Sequence, residues 1–407
     1  MQKKIYNIIL FGITLGLCFC KKESKPIEHD GILYYPTATD LNIFKHSGLS
    51  INGTKISFAN GLISNNGSGY FYTGGIYEYN IIDQTIVDNL IDYDDTAKLI
   101  NGLININPNR YLGFNLNLQK KTIANGDTTL EATVILLDKN FKTLKAKILP
   151  IGPSTSTEIH LKSLTNGDFI ICAPTGKFYS KNYLFCLDEN LNIKWTVKVE
   201  NASIYSDDYF IKDVLVKDNA IYLLQNKISS SLIYGKSDYY RVKKYDFSGN
   251  NINTSVNSAK DFKGNYLIPF ENGYAVVGEN YNAFTDYTTF FANYDMNNAI
   301  VTTKILDKIK YSKFYPIKYN SPVVSSNIIE CNKAFYFMTL EYQMVKLNSS
   351  LKIEWTKSID NFSAKNLTNE RYLVNIGNNI VCIGKNNWRG VNGITFIKTD
   401  LDGNIVK

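Results

Sequence analysis

The chain is patterned as short β-rich runs separated by polar turns, and the same order of runs and turns recurs along its length. Each unit opens on an Asn-containing turn, continues through two apolar runs to a turn headed by Asp or Asn, and ends in an alternating outer run. The leading turns hold Asn52-Gly53, Asn109-Arg110, Asn166-Gly167, Asp218-Asn219, Asn272-Gly273, Asn332-Lys333 and Asn378-Asn379. The trailing turns are headed by Asn80, Asp138, Asp188, Asp246, Asp295, Asn348 and Asp400, which lie 49 to 58 residues apart. The chain is therefore predicted to be an array of similar β units.

A period of this size in an all-β chain indicates a β-propeller in which each repeat forms one blade. We expect an all-β fold: a seven-bladed β-propeller of four-stranded antiparallel blades, closed by an N-terminal strand. Eight blades is the alternative count, if residues 30–50 contain a degenerate repeat. The chain ends at Lys407, soon after the last trailing turn, so the segment 41–51 is predicted to supply the missing outer strand of the last blade and the innermost strand of the first.

The order of turns also predicts two different faces of the propeller. Leading and trailing turns border two neighbouring antiparallel strands on the same side, so both sets lie on one face. The connections between the second and third strands lie on the opposite face and are predicted to be long, irregular loops in six repeats: 65–74, 119–131, 175–183, 227–240, 280–288 and 385–393. Such a division separates stabilising turns from binding loops.

These loops carry aromatic side chains and an arginine that suit contacts with a sugar or a protein. The predicted binding face consists of Tyr70, Phe71, Tyr72, Phe178, Tyr179, Tyr234, Tyr239, Tyr281, Phe284, Tyr287, Trp388 and Arg389. The alternative is that the loops pack on themselves and bind nothing.

Composition agrees with a large folded body and narrows the classes of partner. The chain is 44% hydrophobic and 20% charged, and its 29 Tyr and 22 Phe favour strands over helices. A net charge of +7 without a block of Lys and Arg does not indicate nucleic-acid binding. We expect a monomer.

Residues that could carry catalysis are sparse in this sequence. The three histidines, His29, His46 and His160, have no recognisable motif around them. The paired carboxylates Asp94-Asp95 and Asp207-Asp208 are interpreted as solvated loop charges. The last trailing turn, 400–404, resembles a calcium loop but lacks the following Gly and the distal Glu, so it is interpreted as a turn. We expect no catalytic residue, metal or cofactor; an enzyme acting on a glycan is the alternative.

Cys172, Cys186, Cys331 and Cys382 follow the N-terminal region. Cys172 and Cys382 occupy the same place in two repeats, which favours small buried hydrophobic residues. A disulfide between Cys172 and Cys186 stays open at this point, because the two are predicted on neighbouring strands.

The N-terminus resembles a bacterial lipoprotein signal. Lys3-Lys4 precedes an apolar run from Ile5 to Phe19, which ends at Cys20 and a polar segment. The resemblance implies that residues 1–19 are a signal peptide, that Cys20 is acylated, that 20–40 is a polar tether and that 41–407 is the propeller. Cys18 is the alternative acylation site, and an ordinary secretory signal or an uncleaved anchor are the alternatives to lipidation. The implied location is the cell envelope, as an outer-membrane lipoprotein on the periplasmic side or the cell surface.

Two trailing units resemble the "LD-xx-G-x-x-x-W" repeats of PQQ-type propellers, and also WD-like repeats in lipid-anchored propellers of Bacteroidetes-like bacteria. They are Leu187 to Thr196 and Leu347 to Thr356, which place Trp195 and Trp355 alike but lack the turn glycine. The two tryptophans are predicted to pack between blades. No adjacent cysteine pair follows the signal, so quinoprotein activity is not implied. The resemblance favours a non-catalytic binding or scaffold protein with a protein or carbohydrate partner; a subunit of an outer-membrane assembly complex is a further alternative.

Overall fold

The described part of the chain folds almost entirely into antiparallel β-sheets in a computed structural model. The structure describes residues 23–24, 27–29, 32–36, 49–52, 55–65, 70–90, 102–122, 128–149, 160–175, 181–200, 209–227, 239–259, 262–282, 286–310, 328–339, 343–358, 367–388 and 391–406. Its strands are, in chain order, β1 (Glu23–Ser24), β2 (Ile27–His29), β3 (Ile32–Pro36), β4 (Leu49–Asn52), β5 (Lys55–Asn65), β6 (Tyr70–Asn80), β7 (Thr85–Leu90), β8 (Gly102–Asn107), β9 (Arg110–Thr122), β10 (Thr128–Asp138), β11 (Thr143–Leu149), β12 (His160–Ser163), β13 (Phe169–Thr175), β14 (Lys181–Leu187), β15 (Ile193–Glu200), β16 (Tyr209–Lys217), β17 (Ala220–Lys227), β18 (Tyr239–Asp246), β19 (Asn251–Thr254), β20 (Phe262–Phe270), β21 (Gly273–Asn282), β22 (Asp286–Asp295), β23 (Ile300–Lys310), β24 (Ile329–Cys331), β25 (Ala334–Met338), β26 (Gln343–Leu347), β27 (Ile353–Ser358), β28 (Leu367–Ile376), β29 (Asn379–Trp388) and β30 (Val391–Asp400).

Six blades are built from four consecutive strands each: blade 1 from β4–β7, blade 2 from β8–β11, blade 3 from β12–β15, blade 4 from β16–β19, blade 5 from β20–β23 and blade 6 from β24–β27. The remaining sheet, called here the closing sheet, has the order β2-β3-β30-β29-β28 and joins both ends of the described chain. The all-β propeller of antiparallel four-stranded blades is confirmed. The predicted count of seven such blades, or eight, is wrong: six are present in the described part of the chain, and a five-stranded composite sheet stands beside them.

The closing sheet is composite because the last repeat supplies three long strands and only a short stub after its trailing turn. The stub covers the end of β30 through an isolated bridge between Thr399 and Ile405. The rest of the outer edge of β30 pairs with β3, in the register Tyr34 to Thr395. The prediction that 41–51 would supply this outer strand is therefore wrong, whereas its second part is right: β4 is the innermost strand of blade 1.

Each pair of neighbouring sheets encloses a buried apolar cluster, and these clusters follow one another around the ring. The interface between blade 1 and the closing sheet is called here the seam. Blade 1 contributes Ile56 and Tyr79 to it, and the closing sheet contributes residues that include Ile383 and Phe396. The rings of Tyr79 and Phe396 stack with centroids 3.9 Å apart. The seam is thus packed like the other interfaces, and burial of apolar surface holds the ring closed.

Six of the seven trailing turns share one hydrogen-bond pattern, whereas the turn headed by Asn80 has its left-handed residue at the fifth position, Gln84. In the blade 4 turn, Oδ1 of Asp246 accepts hydrogen bonds from the amides of Ser248 and Asn250, at 2.8 and 2.9 Å. The Asn250 side chain donates to Oδ2, and these bonds together lower the pKa of Asp246. Asp188 and Asp400 have the same pattern. The interpretation of 400–404 as a turn is therefore confirmed.

The fourth residue of these turns has a left-handed backbone whether or not it is glycine. Phe141, Leu191 and Leu351 have φ values of 62°, 61° and 56°. All three side chains are buried in the apolar clusters between neighbouring sheets. Burial of a large apolar side chain offsets the strain of the left-handed conformation.

The two turns that do have glycine leave room for tryptophan. Trp195 of blade 3 donates from Nε1 to the carbonyl of Phe247 in blade 4, at 2.9 Å, and a Cβ on Gly249 would lie 3.0 Å from its ring. The ring of Trp355 of blade 6 lies against Gly403 of the closing sheet, where an added Cβ would be 2.6 Å from it. The predicted packing of these tryptophans between blades is confirmed.

The described cysteines are buried free thiols, so no disulfide joins Cys172 and Cys186. Cys172 pairs in register with Leu184, and Cys186 pairs with Ile170. Burial raises the pKa of Cys186 to about 12, which leaves it protonated and chemically inert at neutral pH. The interpretation of Cys172 and Cys382 as small buried residues is confirmed.

Candidate binding face

The antiparallel order of each blade creates two faces of different character. The connections between first and second strands and between third and fourth strands lie on one face, called here the turn face. The connection between second and third strands lies on the other, called here the loop face. In blade 4 the turn face carries 218–219 and 247–250, whereas β17 ends and β18 begins on the loop face.

Several predicted loops on the loop face are largely strand. In blade 1, β5 and β6 pair from Lys55–Asn80 out to Asn65–Tyr70, and in blade 2, β9 and β10 pair out to Thr122–Thr128. The predicted irregular loops at 65–74, 119–131, 280–288 and 385–393 are thus mostly hairpin. The two strands of each hairpin pair through their backbone amides and carbonyls, and the polar sequence of these segments does not by itself reveal that pairing.

Beyond the described ends of their neighbouring strands, two of these hairpins continue as two-stranded ribbons. Strand β4 pairs with β5 as far as Phe58, and β7 pairs with β6 from Gly75, which lies opposite Asn60, so residues 61–65 and 70–74 pair with each other alone among the described residues. In blade 2, Ala132 is the last residue paired with β11 and lies opposite Leu116, so the corresponding ribbon comprises 117–122 and 128–131. In two neighbouring blades the second and third strands therefore continue on the loop face beyond the described ends of the first and fourth strands.

The structure describes about half of the predicted binding residues. Tyr70, Phe71 and Tyr72 lie at the loop-face end of β6; Tyr281 of β21 pairs in register with Tyr287 of β22; Trp388 ends β29 opposite Val391; and Tyr239 opens β18. Cys20, Phe178, Tyr179, Tyr234, Phe284 and Arg389 lie outside the described residues, as do Asp94-Asp95 and Asp207-Asp208.

Blade 4 has the best-defined arrangement on the loop face. Tyr209 of β16, Lys227 of β17 and Tyr239 of β18 are directly opposite one another in register. Arg241 lies two residues after Tyr239, and its guanidinium carbon is 3.6 Å from the centroid of the Tyr209 ring. Stacking of this kind contributes about 0.5–2 kcal/mol, and it holds two flat groups with polar edges at the end of the blade.

Hydrogen bonds fix the positions of these groups. Arg241 Nε donates to Oε1 of buried Gln225 at 3.0 Å, and the Tyr209 hydroxyl donates to Oδ1 of Asn257 at 2.7 Å. We call Tyr209, Gln225, Lys227, Tyr239 and Arg241 the blade 4 cluster. It presents hydrogen-bonding groups beside aromatic rings, which suits a sugar or a polar protein segment.

Blade 5 carries a second set of buried polar groups toward the same face. Asn265, on the bulge of β20, donates from Nδ2 to Oε1 of Glu279 at 3.0 Å. The Asn226 side chain of blade 4 bonds both the amide and the carbonyl of Gly264, at 3.1 and 2.7 Å. Asn226 therefore links the second strand of blade 4 to the innermost strand of blade 5.

Asp213 lies near the middle of β16 and links it to β20, the innermost strand of blade 5. Its Oδ1 accepts from the amide of Val214 at 2.8 Å and its Oδ2 from Leu267 of blade 5 at 2.7 Å, while Nδ1 of His160 in blade 3 lies 3.8 Å away. Burial raises the pKa of Asp213, against the opposing effects of Lys162 and of the two amides. With both oxygens engaged by backbone amides, Asp213 serves as a structural link between blades.

The sequence patterns did not predict Tyr209, Gln225, Arg241 or Asp213 as residues of interest. For Arg241 a signal was present: it lies two positions from Tyr239, and alternate residues of a strand share a side. Gln225 and Tyr209 come from other strands, and only the register brings them together.

No group of three or more His, Cys, Asp and Glu that could hold a metal occurs among the described residues. Within the same residues there is no helix with the length and apolar character to span a membrane.

Comparison with known proteins supports the architecture. No protein-family model matches the chain, and no curated protein does. Among solved structures, the β-propeller domain of the Trilobed protease from Pyrococcus furiosus is similar, with 10% identity and a TM-score of 0.50 over 89% of this chain and 97% of that chain. BamB from Moraxella catarrhalis has 13% identity and a TM-score of 0.49 over 92% and 90% of the two chains. Identities this low show the propeller fold alone.

Proposed function

We propose that the chain is a lipid-anchored, non-catalytic binding or scaffold propeller of the bacterial cell envelope, with a protein or glycan partner on its loop face. The blade 4 cluster carries the proposal. Tyr209, Lys227 and Tyr239 lie opposite one another in register, and Arg241, two residues after Tyr239, stacks on the Tyr209 ring. Tyr281 and Tyr287 pair at the corresponding end of blade 5. Rigid aromatic anchors with a polar rim are the usual centres of binding surfaces.

The anchoring part of the proposal rests on the N-terminal sequence. Residues 1–19 act as the signal peptide and Cys20 is the acylated residue, which places the protein in the outer membrane of the envelope. The segment 20–40, predicted as a tether, contains β1, β2 and β3 and so contributes to the folded body.

Lipid labelling tests the anchor. Cys20→Ala is expected to abolish incorporation of a labelled fatty acid in cells, whereas Cys18→Ala is expected to retain it. Labelling that persists in Cys20→Ala and disappears in Cys18→Ala moves the site to Cys18. Absence of label from the wild type would refute lipidation.

The binding face is tested by cross-linking in intact envelopes followed by capture of the protein. The triple variant Tyr239→Ala, Tyr281→Ala, Tyr287→Ala is expected to lose the partner that the wild type captures, because it removes the aromatic anchors of two neighbouring blades. The matched control is Leu144→Ala with Ile148→Ala, which truncates exposed apolar residues of the outer strand β11. The same partner bound by all three proteins would refute this binding face.

A further inference from the structure

The start of the described chain lies at the outer edge of blade 1. Strand β1 adds to β7 in antiparallel register, with Glu23 opposite Val87 and Ser24 opposite Ile86. Strand β7 runs from the turn face to the loop face, because it follows the trailing turn at 81–84. Strand β1 runs the opposite way, so Glu23 lies at its loop-face end.

This direction limits where a lipid on Cys20 can lie. Cys20 precedes Glu23 by three residues, and an extended chain spans at most ~3.6 Å per residue, so the anchor lies within about 11 Å of β1. With so short a connection, a lipid inserted in a bilayer holds the loop-face rim of blade 1 beside the membrane surface.

The ribbon of the same blade, 61–65 with 70–74, lies on that face. From Asn60, which lies opposite the last residue paired with β7, to Asn65 the strand covers about 16 Å at ~3.3 Å per residue, so the ribbon can reach the surface that the anchor defines. No Asp, Glu, Lys or Arg occurs between Ile56 and Tyr77. In register, Ile63 is opposite Tyr72 and Ser64 is opposite Phe71.

The ribbon of blade 2 provides an internal comparison. It extends from the same face, but residues 115–131 include Lys120, Lys121, Asp127 and Glu131. Absence of charge is therefore a property of the ribbon next to the anchor and not of projecting ribbons in this chain generally.

We propose that the blade 1 ribbon lies in the interfacial zone of the bilayer and, together with the lipid, orients the propeller with its loop face toward the membrane at blade 1. This inference rests on the proposed lipid anchor. Aromatic residues favour the membrane–water interface, and charged groups are costly to remove from water. An uncharged ribbon containing Leu62, Ile63, Tyr70, Phe71 and Tyr72 meets both conditions.

Fluorescence quenching by lipids tests the orientation. The full-length lipidated protein is reconstituted into vesicles of phosphatidylethanolamine and phosphatidylglycerol that contain a spin-labelled lipid. An environment-sensitive dye is attached at Phe71→Cys or Tyr72→Cys in the blade 1 ribbon, at Leu118→Cys in the blade 2 ribbon, or at exposed Ser349→Cys on the turn face. The described native cysteines are buried, and unsubstituted protein measures their background labelling.

The expected result is loss of fluorescence at 71 or 72 on addition of the quencher lipid, weaker loss at 118 and none at 349. Equal, unquenched signals at 71, 72 and 349 in vesicle-bound protein would overturn the proposal while leaving the anchor intact. A protein that carries no fatty acid and does not float with vesicles would instead refute the anchor. A dye that stays unquenched in vesicles but is shielded in native envelopes would assign the ribbon to a protein partner and overturn the membrane contact.

Discussion

At the scale of single residues, the fourth position of the trailing turn shows two ways of occupying the same space. Leu191 and Leu351 fill it with their own side chains at the cost of a left-handed backbone, whereas Gly249 and Gly403 leave it open to a tryptophan from the preceding blade. The position seven residues after the turn head has a shared role as well. Lys145, Trp195, Asn253 and Trp355 occupy it and each reaches the turn of the next blade.

Substitution of Gly249 by alanine separates backbone strain from tryptophan packing. Gly167 is the matched control, because its φ of 86° equals the 85° of Gly249 within a degree while no atom lies within 4 Å of its added Cβ. Gly167→Ala is expected to lower the free energy of unfolding by about 1 kcal/mol, from strain alone. Gly249→Ala is expected to lower it by about 2–4 kcal/mol, since its Cβ also displaces Trp195. Denaturant unfolding measures both; equal losses would show that the tryptophan contact contributes nothing.

At the scale of elements, the turn pattern predicted the wrong segment as the outer strand of the last blade. The segment 41–51 was predicted as the partner of the last blade because it precedes the first leading turn, yet β3 takes that edge instead. The short run Ile32–Pro36 has the β-rich composition of a strand, but it lies in a segment whose charges and proline resembled a tether. A strand that pairs across nearly the whole length of a chain has no local signal for its partner.

Engineered cysteines test the pairing of β3. Tyr34→Cys with Thr395→Cys joins two positions that are opposite in register, and a disulfide is expected to form on mild oxidation. Tyr34→Cys with Lys398→Cys is the control, because the second site lies three residues out of register. Cross-linking is read by gel mobility with and without reductant. Cross-links of equal yield in both pairs would contradict the register, and a cross-link in neither would contradict the pairing.

At the scale of the whole molecule, stability depends on each interface between neighbouring sheets, including the seam. The ring leaves no first or last sheet without a packed neighbour, since the closing sheet contacts both blade 6 and blade 1. Opening the seam would expose two apolar faces at once, so loss of packing there should affect blade 1 and the closing sheet together and not one sheet alone.

Truncation of Phe396 tests the importance of the seam. Phe396→Ala removes a buried ring that stacks on Tyr79 and is expected to lower the free energy of unfolding by about 3–5 kcal/mol. Phe185→Ala, at the interface of blades 2 and 3, removes a ring of equal size and similar burial. In native hydrogen exchange, Phe396→Ala is expected to speed exchange in blade 1 and the closing sheet together, whereas the control acts in blades 2 and 3. Exchange changes confined to the closing sheet would contradict a seam that couples the two ends.

The sequence by itself determined the all-β class, the repeat, the turns and the packing role of Trp195 and Trp355, because strands, turns and repeated positions have local patterns of polarity and spacing. It indicated aromatic residues on one face, and the backbone positions of Tyr239, Tyr281 and Tyr287 lie at that face. Only the tertiary structure decided that β3 completes the closing sheet, that Gln225 and Tyr209 join Arg241, and that Glu23 and Ser24 form the outer edge of the blade with the uncharged ribbon. These relations depend on register and on contacts between distant strands, which a one-dimensional pattern does not encode.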